Sequence, residues 1–192
     1  MHEPPQLILA SASPRRAELL RNLGLRFSVQ PQHLDESQLD GEAVKDFVCR
    51  LAGEKAFAVQ AAAVPVLGAD TVVVARERVL GKPRDQADAV DMLLSLAGRK
   101  HQVMTAVAVA QGSRIESALS ISEVTFRTVT RSEAQAYWDS GEPRDKAGGY
   151  AIQGLGGIFV QRLEGSYSGV VGLPVLETSI LLRRFGITVL SD

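Results

Sequence analysis

The chain has 192 residues, 45% hydrophobic and 22% charged, a balance that fits one globular domain or two small lobes with room for a sizeable core. Its formal net charge of −1 leaves no broad basic field for nonspecific DNA or RNA binding, and aromatics, at 5%, are too sparse for a base-stacking module. No apolar stretch is long enough to span a membrane, one cysteine excludes an internal disulfide, and His2, His33 and His101 lack metal-ligand spacing, so neither a zinc site nor a Ser-His-Asp triad is expected.

Met1-His2-Glu3-Pro4-Pro5 lacks the basic and apolar regions of a secretory signal, so a cytoplasmic setting is expected. Leu7–Ala10 reads as a buried strand. A tight loop follows, Ser11-Ala12-Ser13, and then a helix over Pro14–Leu23 that stops at Gly24. Ser13 is a cap and Pro14 suits the first helical position. The unpaired N–H groups and the positive end of the helix dipole make this loop an anion site. Arg15 and Arg16 add forked cations suited to phosphate oxygens, so a phosphorylated ligand is expected.

Phe27–Val29 is a short second strand, followed by a polar loop with His33, Asp35, Glu36 and Ser37. A long alanine-rich amphipathic helix is predicted from Glu42 to about Ala62, with Cys49 as a small buried hydrophobe rather than a nucleophile. Val66–Leu67 and Val72–Ala75 read as strand on either side of Gly68-Ala69-Asp70-Thr71, and Val79–Pro83 as a strand end and a break. Asp85–Leu96 is a helix capped by Asp85 and closed by Gly98. Val103–Ala110 and Ile115–Arg127 form an antiparallel pair turning near Gly112. Thr130 and Glu133 have capping-box spacing and open a short helix with Tyr137 and Trp138. Gly148–Gly157 is glycine-dense, Phe159–Leu163 is a strand, Gly172-Leu173-Pro174 a turn and Val175–Phe185 a last helix. The pattern is α/β with a mixed sheet.

Candidate chemical groups fall just after strands: Ser11 and Ser13 after the first, Glu36 after the second, Asp70 after the third and Lys82 after the next. If the early strands are parallel, these carboxyl ends share one edge, where ligands bind in open α/β sheets. Asp70, flanked by apolar residues, reads either as a turn or capping aspartate or as a metal ligand or general base. By itself Lys55 reads as a solvated surface lysine and Glu36 as a solvated loop carboxylate. Lys82 is presented rigidly between Gly81 and Pro83, and Gln153 among glycines has an amide able to read a base. There is no Gly-x-x-x-x-Gly-Lys-Ser/Thr loop, and Gly154-Leu155-Gly156-Gly157 does not complete the dinucleotide pattern.

Six segments in order resemble the Maf nucleotide pyrophosphatases. They are Ala10–Arg16, Arg50–Ala56, Gly68–Thr71, Gly81–Pro83, Asp145–Tyr150 with Ile152–Gly154, and Val171–Pro174. The resemblance covers essentially the whole chain and implies a single Maf-like domain over residues 1–192. It further implies a mixed twisted sheet with helices on both sides and two lobes around a cleft, similar to inosine triphosphate pyrophosphatases. The implied activity is hydrolysis of nucleoside triphosphates to monophosphate and pyrophosphate with a divalent cation, Mg²⁺ or alternatively Mn²⁺ or Co²⁺, in a cytoplasmic homodimer. Arg15, Thr71 and Gln153 match the branch that hydrolyses dTTP and UTP; the 7-methyl-GTP branch carries tryptophan, glutamine and glutamate there. In this scheme Arg16, Lys55 and Lys82 contact phosphates together with the amides after Ser11 and Ser13. Glu36 and Asp70 hold the metal, Asp70 directs or deprotonates the attacking water, and Arg15, Thr71 and Gln153 choose the base. The competing reading is a non-enzymatic, nucleotide-binding regulator of septum formation, which would need the cations but not Asp70 beside them.

Overall fold

The computed structural model describes residues 4–59 and 63–190. Strands β1 (Leu7–Leu9), β2 (Phe27–Val29) and β3 (Val66–Ala75) pair in parallel, with β1 between the other two. The remaining strands are β4 (Arg78–Leu80), β5 (Lys100–Gln111), β6 (Arg114–Phe126) and β7 (Val160–Glu164). The sheet runs β2-β1-β3-β5-β6-β7, with β4 antiparallel to β3 and β7 antiparallel to β6. The helices are α1 (Pro14–Asn22), α2 (Val44–Phe57), α3 (Gln86–Leu96), α4 (Arg131–Asp139), α5 (Tyr167–Val171) and α6 (Val175–Arg184). The expected mixed α/β class is thus the observed one. Among the described residues no helix is long and apolar enough to cross a membrane.

Two compact units are distinguished, with β3, β5 and β6 each contributing residues to both. The first comprises residues 1–70, 105–120 and 172–192. In it, side-chain alternation along β3 divides the strand's neighbours. Leu67 and Ala69 join Leu7, Leu9, Val107 and Val109 in a core with Ala17 and Leu20 of α1 and Leu181 and Leu182 of α6. Leu9, Leu20 and Leu67 are fully buried, worth roughly 1.5–3 kcal/mol each. Gly68 points the other way, onto α2: a Cβ there would collide with the Ala52 carbonyl oxygen and lie 2.5 Å from the Ala56 nitrogen. Helices therefore cover both faces of this part of the sheet.

The second unit comprises residues 71–104 and 121–171. Val90, Leu93 and Leu96 of α3 and Ala134 and Tyr137 of α4 enclose Val73, Val103, Val124, Phe126, Tyr150 and Phe159. Thr130 and Glu133 form the expected reciprocal capping box of α4, and Asp85 caps α3 through the Asp88 N–H at 2.9 Å.

His101 lies inside this unit, 3% exposed, edge-on to Phe126 and sharing a 2.8 Å hydrogen bond between Nε2 and the Tyr150 hydroxyl. Its Nδ1 is buried without a partner, and burial pushes its pKa down to about 4. The unfolded chain, with an ordinary histidine near 6.5, takes up a proton before the folded one does. Stability is therefore complete above about pH 6.5 and declines as pH falls toward 4, at up to about 1.4 kcal/mol per pH unit. Thermal unfolding between pH 7 and 4.5 should show this fall, and His101→Gln should flatten it. An equally steep slope in the variant refutes the assignment.

Several expectations shift. The helix from Glu42 is Val44–Phe57; Gln60–Ala62, at its predicted end, lie outside the described residues, as do Met1–Glu3. Cys49 is half-buried rather than fully buried. The two strand pieces expected on either side of Gly68–Thr71 are one strand, because β3 runs unbroken from Val66 to Ala75. Close packing on α2, not chain reversal, is what requires Gly68. Helix α5 was not foreseen.

Candidate active site

The loop from β1 into α1 is braced from within. The Ser13 hydroxyl caps α1 by accepting the Arg16 N–H at 3.5 Å, as expected. The Ser11 hydroxyl, 8% exposed, accepts the Ser13 N–H at 3.2 Å and Arg16 Nη1 at 3.0 Å. Arg16 Nε donates to the Gly172 carbonyl at 2.8 Å. One arginine is thereby fixed along two edges of its guanidinium plane. Gly172 sits at φ +128°, a conformation that favours glycine, which gives the Val-Gly-Leu-Pro segment a physical purpose the sequence did not disclose. Burial lowers the Arg16 pKa; Asp70 and then Glu36 act in the opposite sense, and Arg15 adds to the lowering. Arginine stays charged in any case.

Asp70 lies within β3, not after it. Yet Leu67 is level with Leu9, the last residue of β1, so β3 outruns its neighbour. Three residues on, past the end of β1, Asp70 is near enough to Arg16 for its charge to act on that guanidinium. By strand alternation it shares the α2 face with Gly68. There Lys55, in the last turn of α2, donates to Asp70 Oδ1 at 2.6 Å, and its Nζ lies 2.6 Å from Glu36 Oε1. Lys55 and Asp70 are 7% and 9% exposed. The reading of Lys55 as a solvated lysine is therefore corrected: its helix position suited the surface, but the close approach of α2 to Gly68 encloses it. Glu36, although paired, is exposed.

Both carboxylates meet one ammonium, so the two contacting oxygens are no more than twice that bond length apart. Two acids around a single lysine bring hard oxygen donors together. A Mg²⁺-type ion fits such a set, since it is held by one or two carboxylates plus phosphate oxygens rather than by a protein cage. Among the described residues there is no group of three or more His, Cys, Asp or Glu able to hold a metal by themselves.

Ser11, Ser13, Arg15, Arg16, Glu36, Lys55 and Asp70 all belong to the first unit, while Thr71, Lys82 and Gln153 belong to the second. Thr71, half-buried, follows Asp70 in β3. Lys82 was expected to follow a strand running with the others, but β4 is antiparallel. It returns along β3, with Leu80 opposite Val73, so the exposed Lys82 is carried back toward the Thr71 end of that strand. Gln153 is exposed on the glycine-dense turn.

The description "Maf-like protein" fits residues 6–185, and that span takes in every residue named in this site. The chain belongs to the Maf family. A protein of Hahella chejuensis named dTTP/UTP pyrophosphatase is 51% identical, covering 97% of this chain and 96% of its own length. One of Saccharophagus degradans with the same name is also 51% identical, over 95% of this chain and 90% of its own. A third, from Vibrio cholerae, is 50% identical over 94% and 98%. Two features of this Maf chain went unread in the sequence: Gly172 as the anchor of Arg16, and Glu142 with Tyr137, which grip the Gln153 turn. The only sequence signal for the first was a motif without an assigned purpose. The second had none beyond an acidic residue ahead of Pro143.

Proposed function

We propose that this chain hydrolyses dTTP and UTP to the monophosphate and pyrophosphate, acting as one Maf-like domain in the cytoplasm. The observation that carries the reading is the ion-paired set Glu36–Lys55–Asp70 beside Arg16 and the serine loop. A nucleotide-sensing regulator would need the cations alone. The names of relatives near 50% identity support the enzymatic reading, and Arg15, Thr71 and Gln153 support the pyrimidine branch.

Arg16, aligned by Ser11 and Gly172, contacts phosphate oxygens, and Lys82 is a second phosphate contact. Lys55 holds Asp70 Oδ1 and so orients the carboxylate, leaving Oδ2 to align a water with the α-phosphorus and take its proton. The water oxygen bonds to that phosphorus as the bond to the bridging oxygen breaks, and pyrophosphate departs with the bridging oxygen. Positioning and charge spreading supply most of the acceleration. A divalent cation held by Asp70 and Glu36 would neutralise phosphate charge.

With Mg²⁺ and pyrophosphate detection, dTTP and UTP should be cleaved at least ~10-fold faster than 7-methyl-GTP at equal concentration. A preference for the methylated purine overturns the branch. Nucleotide binding without pyrophosphate release overturns the enzymatic reading.

A further inference from the structure

The turn bearing Gln153 is gripped by two side chains from one neighbouring stretch of chain. Glu142 begins the 3₁₀ turn Glu142–Asp145 that follows α4, and Tyr137 lies within α4. Glu142 Oε1 accepts the Tyr137 hydroxyl at 2.6 Å and the Gly156 N–H at 3.0 Å, and Oε2 accepts the Leu155 N–H at 3.0 Å. The Tyr137 oxygen in turn accepts the Ala151 N–H at 3.0 Å. The backbone is thus pinned on both sides of Gln153, at Ala151 before it and at Leu155 and Gly156 after it. Gly154 and Gly156 make this approach possible. A Cβ on Gly154 would run into the Glu142 carboxylate, and one on Gly156 would lie 2.6 Å from the Tyr137 oxygen.

Two consequences follow for a nucleotide. A glycine-rich turn ordinarily offers its amides to phosphate, but here the Leu155 and Gly156 N–H groups are spent on a carboxylate. Burial would raise the Glu142 pKa, yet the Tyr137 hydroxyl, the Gly156 and Leu155 amides and the Lys146 charge together hold it below the ordinary carboxylate value. An anion behind the turn repels phosphate and suits the neutral, base end of a substrate. What the turn presents is the exposed Gln153 side chain, set on a backbone that is tied down.

We propose that Glu142 and Tyr137 are positioning residues for base selection, acting through Gln153. The proposal rests on the pyrimidine-nucleotide reading above and on Gln153 meeting the base. Its test compares kcat/KM for dTTP and for 7-methyl-GTP in wild type, Tyr137→Phe, Glu142→Gln, Gln153→Ala and the two double variants with Gln153→Ala. Tyr137→Phe and Glu142→Gln should each reduce the dTTP over 7-methyl-GTP ratio roughly 10-fold, the scale of one lost charge-assisted hydrogen bond. The change should appear mainly in KM for dTTP. In the Gln153→Ala background neither should alter the ratio further, because the group they position is gone.

A purely structural pair would lower Tm and the activity toward both nucleotides together, leaving the ratio unchanged. That result, with Gln153→Ala still shifting the ratio, overturns the proposal while the base-reading assignment stands. If Gln153→Ala leaves the ratio intact, the base-reading assignment fails and takes the proposal with it. Should Glu142→Gln not fold, Tyr137→Phe, which removes one oxygen, carries the test alone.

Discussion

Replacing Asp70 with asparagine is expected to reduce dTTP turnover at least ~100-fold, the scale of a lost acid–base group, in a protein that still folds. The substitution keeps shape and leaves an amide oxygen able to accept the Lys55 bond now made at 2.6 Å. Packing on the α2 face is unaffected, and Glu36 remains to balance the lysine. What vanishes is one negative charge and the capacity to take a proton. Because the loss falls on the transition state, kcat should drop with little rise in KM. Comparing steady-state kinetics with the unfolding curve separates this from misfolding. Turnover within a few-fold of wild type, at matching Tm, removes Asp70 from the centre of the mechanism.

The second large effect is expected at a residue with no side chain. Gly68→Ala places a methyl group against backbone atoms of α2, with the Ala56 nitrogen at 2.5 Å. Backbone cannot rotate away as a side chain would, so the helix must move off the sheet or the strand must bend. Overpacking of this kind costs about 1–3 kcal/mol. The displacement also reaches function, since Lys55 lies between Ala52 and Ala56, the two residues that meet the strand here. Its 2.6 Å contacts with Asp70 and Glu36 depend on that approach. The variant should lose several degrees of Tm, and its folded fraction should turn over dTTP more slowly than wild type. An unchanged Tm means that α2 does not sit on β3 this closely.

Signals that act over a few residues were readable in the chain itself. Ser13 and Pro14 start α1, Asp85 starts α3, and Thr130 with Glu133 starts α4, each by satisfying helix-end N–H groups locally. Gly112, at φ +61°, turns β5 into β6. The anion-site character of Ser11–Arg16 was likewise visible, since serines, a proline and two arginines beside a helix start need no distant partner to attract phosphate.

Pairings across long separations were not. Lys55 and Asp70 stand 15 residues apart, Arg16 and Gly172 156 apart, and Glu142 and Gly156 14 apart. Nothing local to Lys55 distinguishes it from a surface lysine, and Gly-Ala-Asp-Thr has the composition of a turn. Strand alternation and the bare backbone at Gly68 put that lysine and that aspartate on one buried face. The sequence by itself determined the elements, their caps and the phosphate-seeking loop, because those rest on short-range hydrogen bonds and periodicity. Only the tertiary structure decided which charges meet, because burial and ion pairing depend on what the folded chain brings within hydrogen-bond reach.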